Sequence, residues 1–432
     1  MALLALAVPV MIARAGQMTM AVADTLFVGR FSALELAYLG LGAPQGVMLA
    51  VLAGLLLGTI VLTAQATGAG KEEQAGLFWR RSLPYALTLG SVMAALCLFA
   101  EPFFLLTGQQ PDLAAGGAEV MLIYGLGMPG AALFFTTTFF LEGLKRPVPG
   151  MVTIVLANIL NLFLDWILVF GGLGLPAMGA EGSAWATTII RWVTAIGLLL
   201  YVWRMADRDR YGVRSGGVRP WWPAREQRHL GMAAGASNGL EASAFAALTL
   251  FAGLIGPLAL GAYTVGLNLI ALPFMAALGL ASATAVLVGN AYGTGDRRNT
   301  QLAGWTGLGV TAALLSVVGL IFAVWPEEIA MAFATEDRLI AVVAPVVAFS
   351  AWILVADGGQ VVMAQALRGR GDAWVPTVLH FVSYYAVMMP VAYGLGIWAG
   401  RGVLGLFEGI FIASMVSVAI LSGRFWWLGR KV

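Results

Sequence analysis

Five acidic side chains stand inside long apolar stretches of this sequence: Asp24, Asp165, Glu241, Asp357 and Glu408. A charge at the centre of a bilayer costs roughly 2.5–3.5 kcal/mol on insertion scales. A carboxylate kept there is a candidate for holding a proton, a small cation or a cationic ligand. Spacing narrows the choice. Asn161 lies four residues before Asp165, which puts both on one helix face. Gln17 lies seven before Asp24, again on one face. Brought together, Asp24, Asn161 and Asp165 would make an oxygen-rich pocket. Two carboxylates in it repel each other unless a proton or a cation sits between them. Glu241 and Asp357, with Gln360 one turn further on, would form a second pocket or face a central cavity. Glu408 is near a span end, beside a glycine, and reads as a structural group.

The other polar residues of the apolar stretches have plainer readings. Arg14 is placed to snorkel towards water. Arg191 is expected to pair with an acid or to line water. His380 reads as a packing histidine, and Asn158, Asn238, Asn268 and Asn290 as interhelical hydrogen-bonding groups. With Cys97 the only cysteine and His229 the only other histidine, no disulfide and no Cys/His metal site is expected.

These side chains need elements to carry them. Of the 432 residues, 60% are hydrophobic and 11% charged, against about 45–50% and about 25% in soluble domains. That excludes a soluble enzyme and a disordered chain. The net charge of +2 gives no attraction to a nucleic acid. A span needs about 20 apolar residues. Twelve such runs lie near 3–28, 44–67, 80–100, 119–141, 149–171, 183–204, 230–254, 259–290, 302–325, 339–367, 374–397 and 402–427. Pro129, Pro273, Pro345 and Pro390 fall inside them and predict bends. Ala13-Arg14-Ala15 resembles a signal-peptidase site, but no basic residue precedes it and the apolar run continues, so a first span is preferred. With twelve spans, 19 of the 24 Lys and Arg fall on one side, together with both termini. That predicts cytoplasmic termini.

The stretch 205–229, with Gly216-Gly217 and Pro220-Trp-Trp-Pro223, breaks the pattern and reads as a cytoplasmic linker. Its flanks repeat. Thr67-Gly-Ala-Gly-Lys71 and Tyr292-Gly-Thr-Gly-Asp296 are 225 residues apart; Leu141–Arg146 and Leu367–Asp372 are 226 apart. Constant offsets at matching positions indicate an internal duplication. The expected lobes are 1–204 and 230–432, six spans each, with the substrate path between them.

The residues on these spans resemble the multidrug and toxic compound extrusion (MATE) family over essentially the whole chain. The resemblance rests on Ala23-Asp24-Thr25-Leu26-Phe27-Val28-Gly29, Ala64–Gly70, Asn161-Leu-Phe-Leu-Asp165, Glu241, and Asp357 with Gln360, Arg368-Gly369 and Asp372. It is nearest to the bacterial norfloxacin-extruding branch. It implies an all-α, V-shaped fold of twelve transmembrane helices in two pseudo-symmetric lobes. It also implies secondary active efflux of amphipathic, often cationic drugs in exchange for Na⁺ or H⁺, by alternating access. Asp24, Asn161 and Asp165 match the family's N-lobe cation site, which a hydroxyl from Thr187 or Thr188 would complete. Glu241, Asp357 and Gln360 match the C-lobe set. Where that branch often has a tyrosine one turn before the span-ten aspartate, this chain has Ile353.

The expectation is therefore a monomeric, non-enzymatic antiporter of the bacterial inner membrane. Its partners would be drugs and lipid, with no cofactor and no bound metal beyond Na⁺. A flippase of lipid-linked saccharides, from the same superfamily, calls for a more basic cavity than Arg14 and Arg191 supply. An intramembrane enzyme would call for a motif such as HExxH, which is absent.

Overall fold

The computed structural model describes residues 2–215, 224–333 and 336–430. The linker motifs Gly216-Gly217 and Pro220–Pro223 lie outside the described residues, as do Arg219 and Lys431. Among the described residues the regular structure is helical throughout. Eleven long helices are apolar enough to span a membrane, and a bent pair makes the twelfth. We number them α1 (Ala2–Phe31), α2 (Ala33–Gly68), α3 (Glu72–Cys97, continued by Ala100–Leu106 after a 49° bend), α4 (Pro111–Gly143), α5 (Val148–Phe170), α6 (Gly179–Arg204), α7 (Arg225–Ile255), α8 (Pro257–Gly293), α9 (Arg297–Val324), α10 (Asp337–Gly369), α11 (Trp374–Trp398) and α12 (Gly402–Arg430). All four prolines expected to bend spans are inside helices, and Pro9 and Pro84 join them. Pro390 starts a short α-helical turn of α11 between two wider, π-type stretches, Val382–Met388 and Gly394–Trp398. Such widening relieves a ladder that has lost a donor.

The chain forms two compact units, residues 12–235 and residues 1–11 with 236–432. In the first, α4 is the hub, packed against α2, α3 and α6. In the second the hub is α10, packed against α8, α9 and α12. These are the fourth span of each repeat. The first spans of each repeat, α1 and α7, are the most loosely packed.

The duplication is visible in the backbone. The chain leaves α2 and α8 by the same turn: Lys71 N–H donates to Ala66 O (2.9 Å) and Asp296 N–H to Ala291 O (3.1 Å). The intervening Gly70 and Gly295 have φ of +70° and +75°, a left-handed conformation that glycine adopts without strain. The exits of α4 and α10 match likewise, Arg146 N–H to Leu141 O (2.8 Å) and Asp372 N–H to Leu367 O (3.0 Å).

The side chains on these turns have reversed polarity. Arg146 makes a two-pronged ion pair with Asp207 beyond α6, at 3.0 and 2.5 Å. At the equivalent turn the acid is on the loop: Asp372 accepts from Arg424 Nε of α12 at 2.9 Å.

Candidate functional site

Helix α5 shows how the sequence builds a site. Gly150, Ile154, Ala157, Asn161 and Asp165 recur at helical spacing and are buried. Leu156, Ile159, Phe163 and Trp166 recur on the opposite face and are exposed. The helix is inside-out relative to a soluble one: its polar stripe faces protein and its apolar stripe faces outward. Asp165 sits at zero exposure and Asn161 at 1%. Close approach of α6 requires Gly182, where a Cβ would lie 2.5 Å from Leu168 O of α5.

Three helices then converge. Asn161 Nδ2 donates to Asp24 Oδ1 of α1 and to Asp165 Oδ2, both at 2.7 Å. Thr187 Oγ1 of α6 donates to Asp24 Oδ2 at 2.8 Å. Thr188, the other hydroxyl considered, instead donates to Ile123 O of α4 (2.8 Å). Asn161 Oδ1, Asp165 Oδ1 and Ser183 Oγ are buried here without a hydrogen-bond partner. Such atoms in a polar pocket are suited to ligating a cation or holding a proton. Gln17, half-buried on α1, is not among the hydrogen-bonded members. Asn158 donates to Gly16 O (3.1 Å) and ties α5 to α1, the interhelical role expected of it.

Of the two roles expected of Arg191, direct pairing with an acid is not found: it makes no ion pair among the described residues. Its guanidinium donates to two neutral oxygens, Tyr124 O (3.1 Å) and Gln45 Oε1 (2.5 Å), and lies 5.4 Å from the Tyr124 ring centroid. It remains within electrostatic reach of Asp24.

The second set joins α10 to α11 and α12. Gln360 Nε2 donates to Asp357 Oδ1 (2.5 Å) and to the Tyr384 hydroxyl of α11 (3.0 Å); Ser414 Oγ of α12 donates to Asp357 at 3.4 Å. Ile353 is fully buried and apolar; the phenol at this cluster, Tyr384, comes from α11. Glu241 is half-buried on α7, within electrostatic reach of both Asp357 and Arg368. His380 is buried against Ser237 Oγ, which lies 2.6 Å from its Nδ1. Glu408 pairs with Arg401, consistent with a structural role.

Arg368 is the residue that sequence reasoning misplaced. One residue beyond the tenth apolar run, it is buried at the end of α10 at 3% exposure, with Nε and Nη2 unpartnered. The signal was available: it is eleven residues beyond Asp357, on the same face after three turns. Tyr384, four residues after His380, was also missed; nothing in its apolar context marks it.

The two clusters thus match in charge, with Asp24, Asp165 and Arg191 in the first unit and Glu241, Asp357 and Arg368 in the second; the first also buries Glu142 at 4% exposure. A family model described as MatE matches residues 9–167 and 233–394, two windows that begin 224 residues apart. The chain is 41% identical to the probable multidrug resistance protein NorM of Caulobacter vibrioides, covering 99% of this chain and 92% of that protein. It is 30% identical to the multidrug resistance protein PmpM of Pseudomonas aeruginosa, covering 97% and 89%. Among solved structures it resembles the eukaryotic MATE transporter AtDTX14 (TM-score 0.89, 20% identity, 98% and 94% covered). It also resembles an outward-facing multidrug resistance MATE family transporter of the MOP superfamily (TM-score 0.88, 21% identity, 100% and 96% covered). At these identities the structural likeness speaks to fold.

Proposed function

The chain belongs to the MatE family, and on that premise we propose that it exports amphipathic, often cationic organic compounds in exchange for sodium ions or protons. It does so as a monomer in the bacterial inner membrane, with both termini cytoplasmic. Residues 1–204 and 230–432 act as the two lobes and 205–229 as their linker.

The observation that carries this reading is the buried group of Asp24, Asn161, Asp165 and Thr187, with three unpartnered oxygens beside two carboxylates. One amide holds both carboxylates within a hydrogen bond of itself, so their charges are close. Entry of a proton or Na⁺ relieves the repulsion and draws α1 towards α5 and α6. Loss of that ion releases α1, which is loosely packed and can move at low cost. The ion drives transport only through its differential affinity for the two arrangements. A cationic drug that favours the other arrangement then competes with it. Glu241, Asp357 and Gln360 serve the same exchange in the second lobe, either as an ion site or as the drug's counter-charge.

The test is ethidium efflux from proteoliposomes with sodium and pH gradients imposed independently. At least one gradient should drive efflux, and Asp24→Asn should abolish it in folded protein. Normal efflux by Asp24→Asn would sink the N-lobe assignment. Efflux indifferent to both gradients would sink antiport.

A further inference from the structure

A cavity of about 510 Å³ opens in the second unit, away from Asp357. Arg370, on its wall, lies thirteen residues beyond Asp357, roughly 20 Å along a helix axis. The cavity lies between the exits of α8 and α10, the start of α9 and the last turn of α12, and is lined by Tyr292, Arg297, Gln301, Arg370, Leu428 and Gly429. Among the described residues no carboxylate lines it.

The duplication says what belongs there. At offset 225, Arg297 corresponds to Glu72 and Gln301 to Gly76. In the first unit that place is filled by the chain itself. Gly76 N–H donates to Tyr211 O at 2.8 Å, and the Arg210 guanidinium pairs with Glu72. Tyr211 and Val213 are buried in the process. An acid on the helix start meets a cation from the following segment. In the second unit the helix start carries a cation, and among the described residues nothing takes the place of 210–212. The occupant that complements it is an anion.

The donors are set for one. Arg370 Nη2 donates to Leu428 O at 3.1 Å, which fixes the guanidinium plane, while Nη1 is buried without a partner. The nearby acids are engaged: Asp296 caps α9 through Asn299 N–H (2.9 Å), and Asp372 holds Arg424. Arg297 is exposed and makes no ion pair among the described residues. Trp426 and Trp427 of the same α12 turn are exposed, and Arg430 stacks over Trp426 with 3.6 Å from Cζ to the ring centroid. Tryptophans of this kind mark the headgroup level of a bilayer, and basic pockets there bind anionic headgroups.

We propose that this cavity binds a phosphate group between Arg297 and Arg370, carried by an anionic phospholipid of the adjacent leaflet. Guanidinium forks match phosphate oxygens geometrically, and the volume falls in the range of ligand sites, about 300–1,000 Å³. The site is independent of the transport reading, and its readout needs no drug.

The experiment uses the delipidated full-length protein in detergent, with lipid adducts counted by native mass spectrometry. Phosphatidylglycerol should be retained in preference to phosphatidylcholine. Arg297→Glu and Arg370→Gln should each lower that retention about 10-fold, as expected for losing one charged hydrogen bond. Arg298→Gln, next in sequence but not lining the cavity, should leave it unchanged. Arg297→Glu recreates the charge of Glu72 at an exposed helix start, where an acid is favourable, so the fold is kept. Unchanged retention by Arg297→Glu overturns the site. Displacement of phosphatidylglycerol by millimolar inorganic phosphate overturns the lipid as its source.

Discussion

The two units hold matching clusters of two acids and a guanidinium in different ways. In the first, Asp24 and Asp165 share one donor, Asn161, and a hydroxyl from α6 completes the set. In the second, Asp357 has its own amide from Gln360 while Glu241, on a loosely packed helix, lies in the fields of Asp357 and Arg368. The guanidiniums differ in the opposite sense. Arg191 is pinned by two neutral oxygens, whereas Arg368 leaves two nitrogens unpartnered. Duplication preserved the scaffold and its exit turns; divergence redistributed which charge is held rigidly and which is left free to respond. A tight acid pair suits a small ion. An acid beside a loosely held cation suits a larger ligand that can reorder both.

The largest effect should come from the tight pair. Asp24→Asn is expected to lower ethidium efflux by roughly 10- to 100-fold, within the range of site coupling energies; Glu241→Gln should leave more residual efflux. Equal losses in proteoliposomes would erase the proposed division between the units.

Next comes coupling between the acids. A double-mutant cycle on Asp24→Asn and Asp165→Asn, read as unfolding midpoints, should give about 1–3 kcal/mol of interaction. The cycle on Glu241→Gln and Asp357→Asn should give less, because no shared donor links that pair. A larger second value would reverse the comparison.

The guanidiniums should part company in stability. Arg191→Gln removes the charged hydrogen bonds to Tyr124 O and Gln45 Oε1, at about 1–3 kcal/mol. Arg368→Gln removes few bonds and should change the unfolding midpoint little while impairing efflux. A large stability loss on Arg368→Gln would show it to be structural instead.

Smallest are the ion pairs outside the spans. Arg146 holds the Asp207 carboxyl below its usual range through their hydrogen bonds. The stability that this pair contributes is therefore present above the ordinary Asp value of about 4, and is lost as pH falls through the lowered one. Asp207→Asn should destabilise by about 0.2–1 kcal/mol at neutral pH, and the difference from wild type should vanish in acid. The exchange Arg146→Asp with Asp207→Arg copies the polarity of Asp372 and Arg424 and should restore most of the loss. Failure to do so in a thermal melt would show that the two turns are not interchangeable.

Much of this was legible in the sequence. Apolar runs longer than a bilayer needs can only be satisfied as helices in lipid, so the spans and their number follow from composition and length. The face shared by Asn161 and Asp165 follows from the helical repeat, and the duplication from offsets of 225 and 226 residues. Tertiary structure decided what no local rule reaches. It selected Thr187 over Thr188, buried Arg368 at the end of α10, brought the Tyr384 phenol to the Asp357 cluster from another helix, and opened a cavity at the start of α9. The physical reason is range. Periodicity fixes which way a side chain faces on its own helix, but the rotation and height of the neighbouring helix are set by packing at residues such as Gly182. Of the five acids first noticed, the sequence says that they are buried in apolar helices; only the packing of those helices says which of them meet.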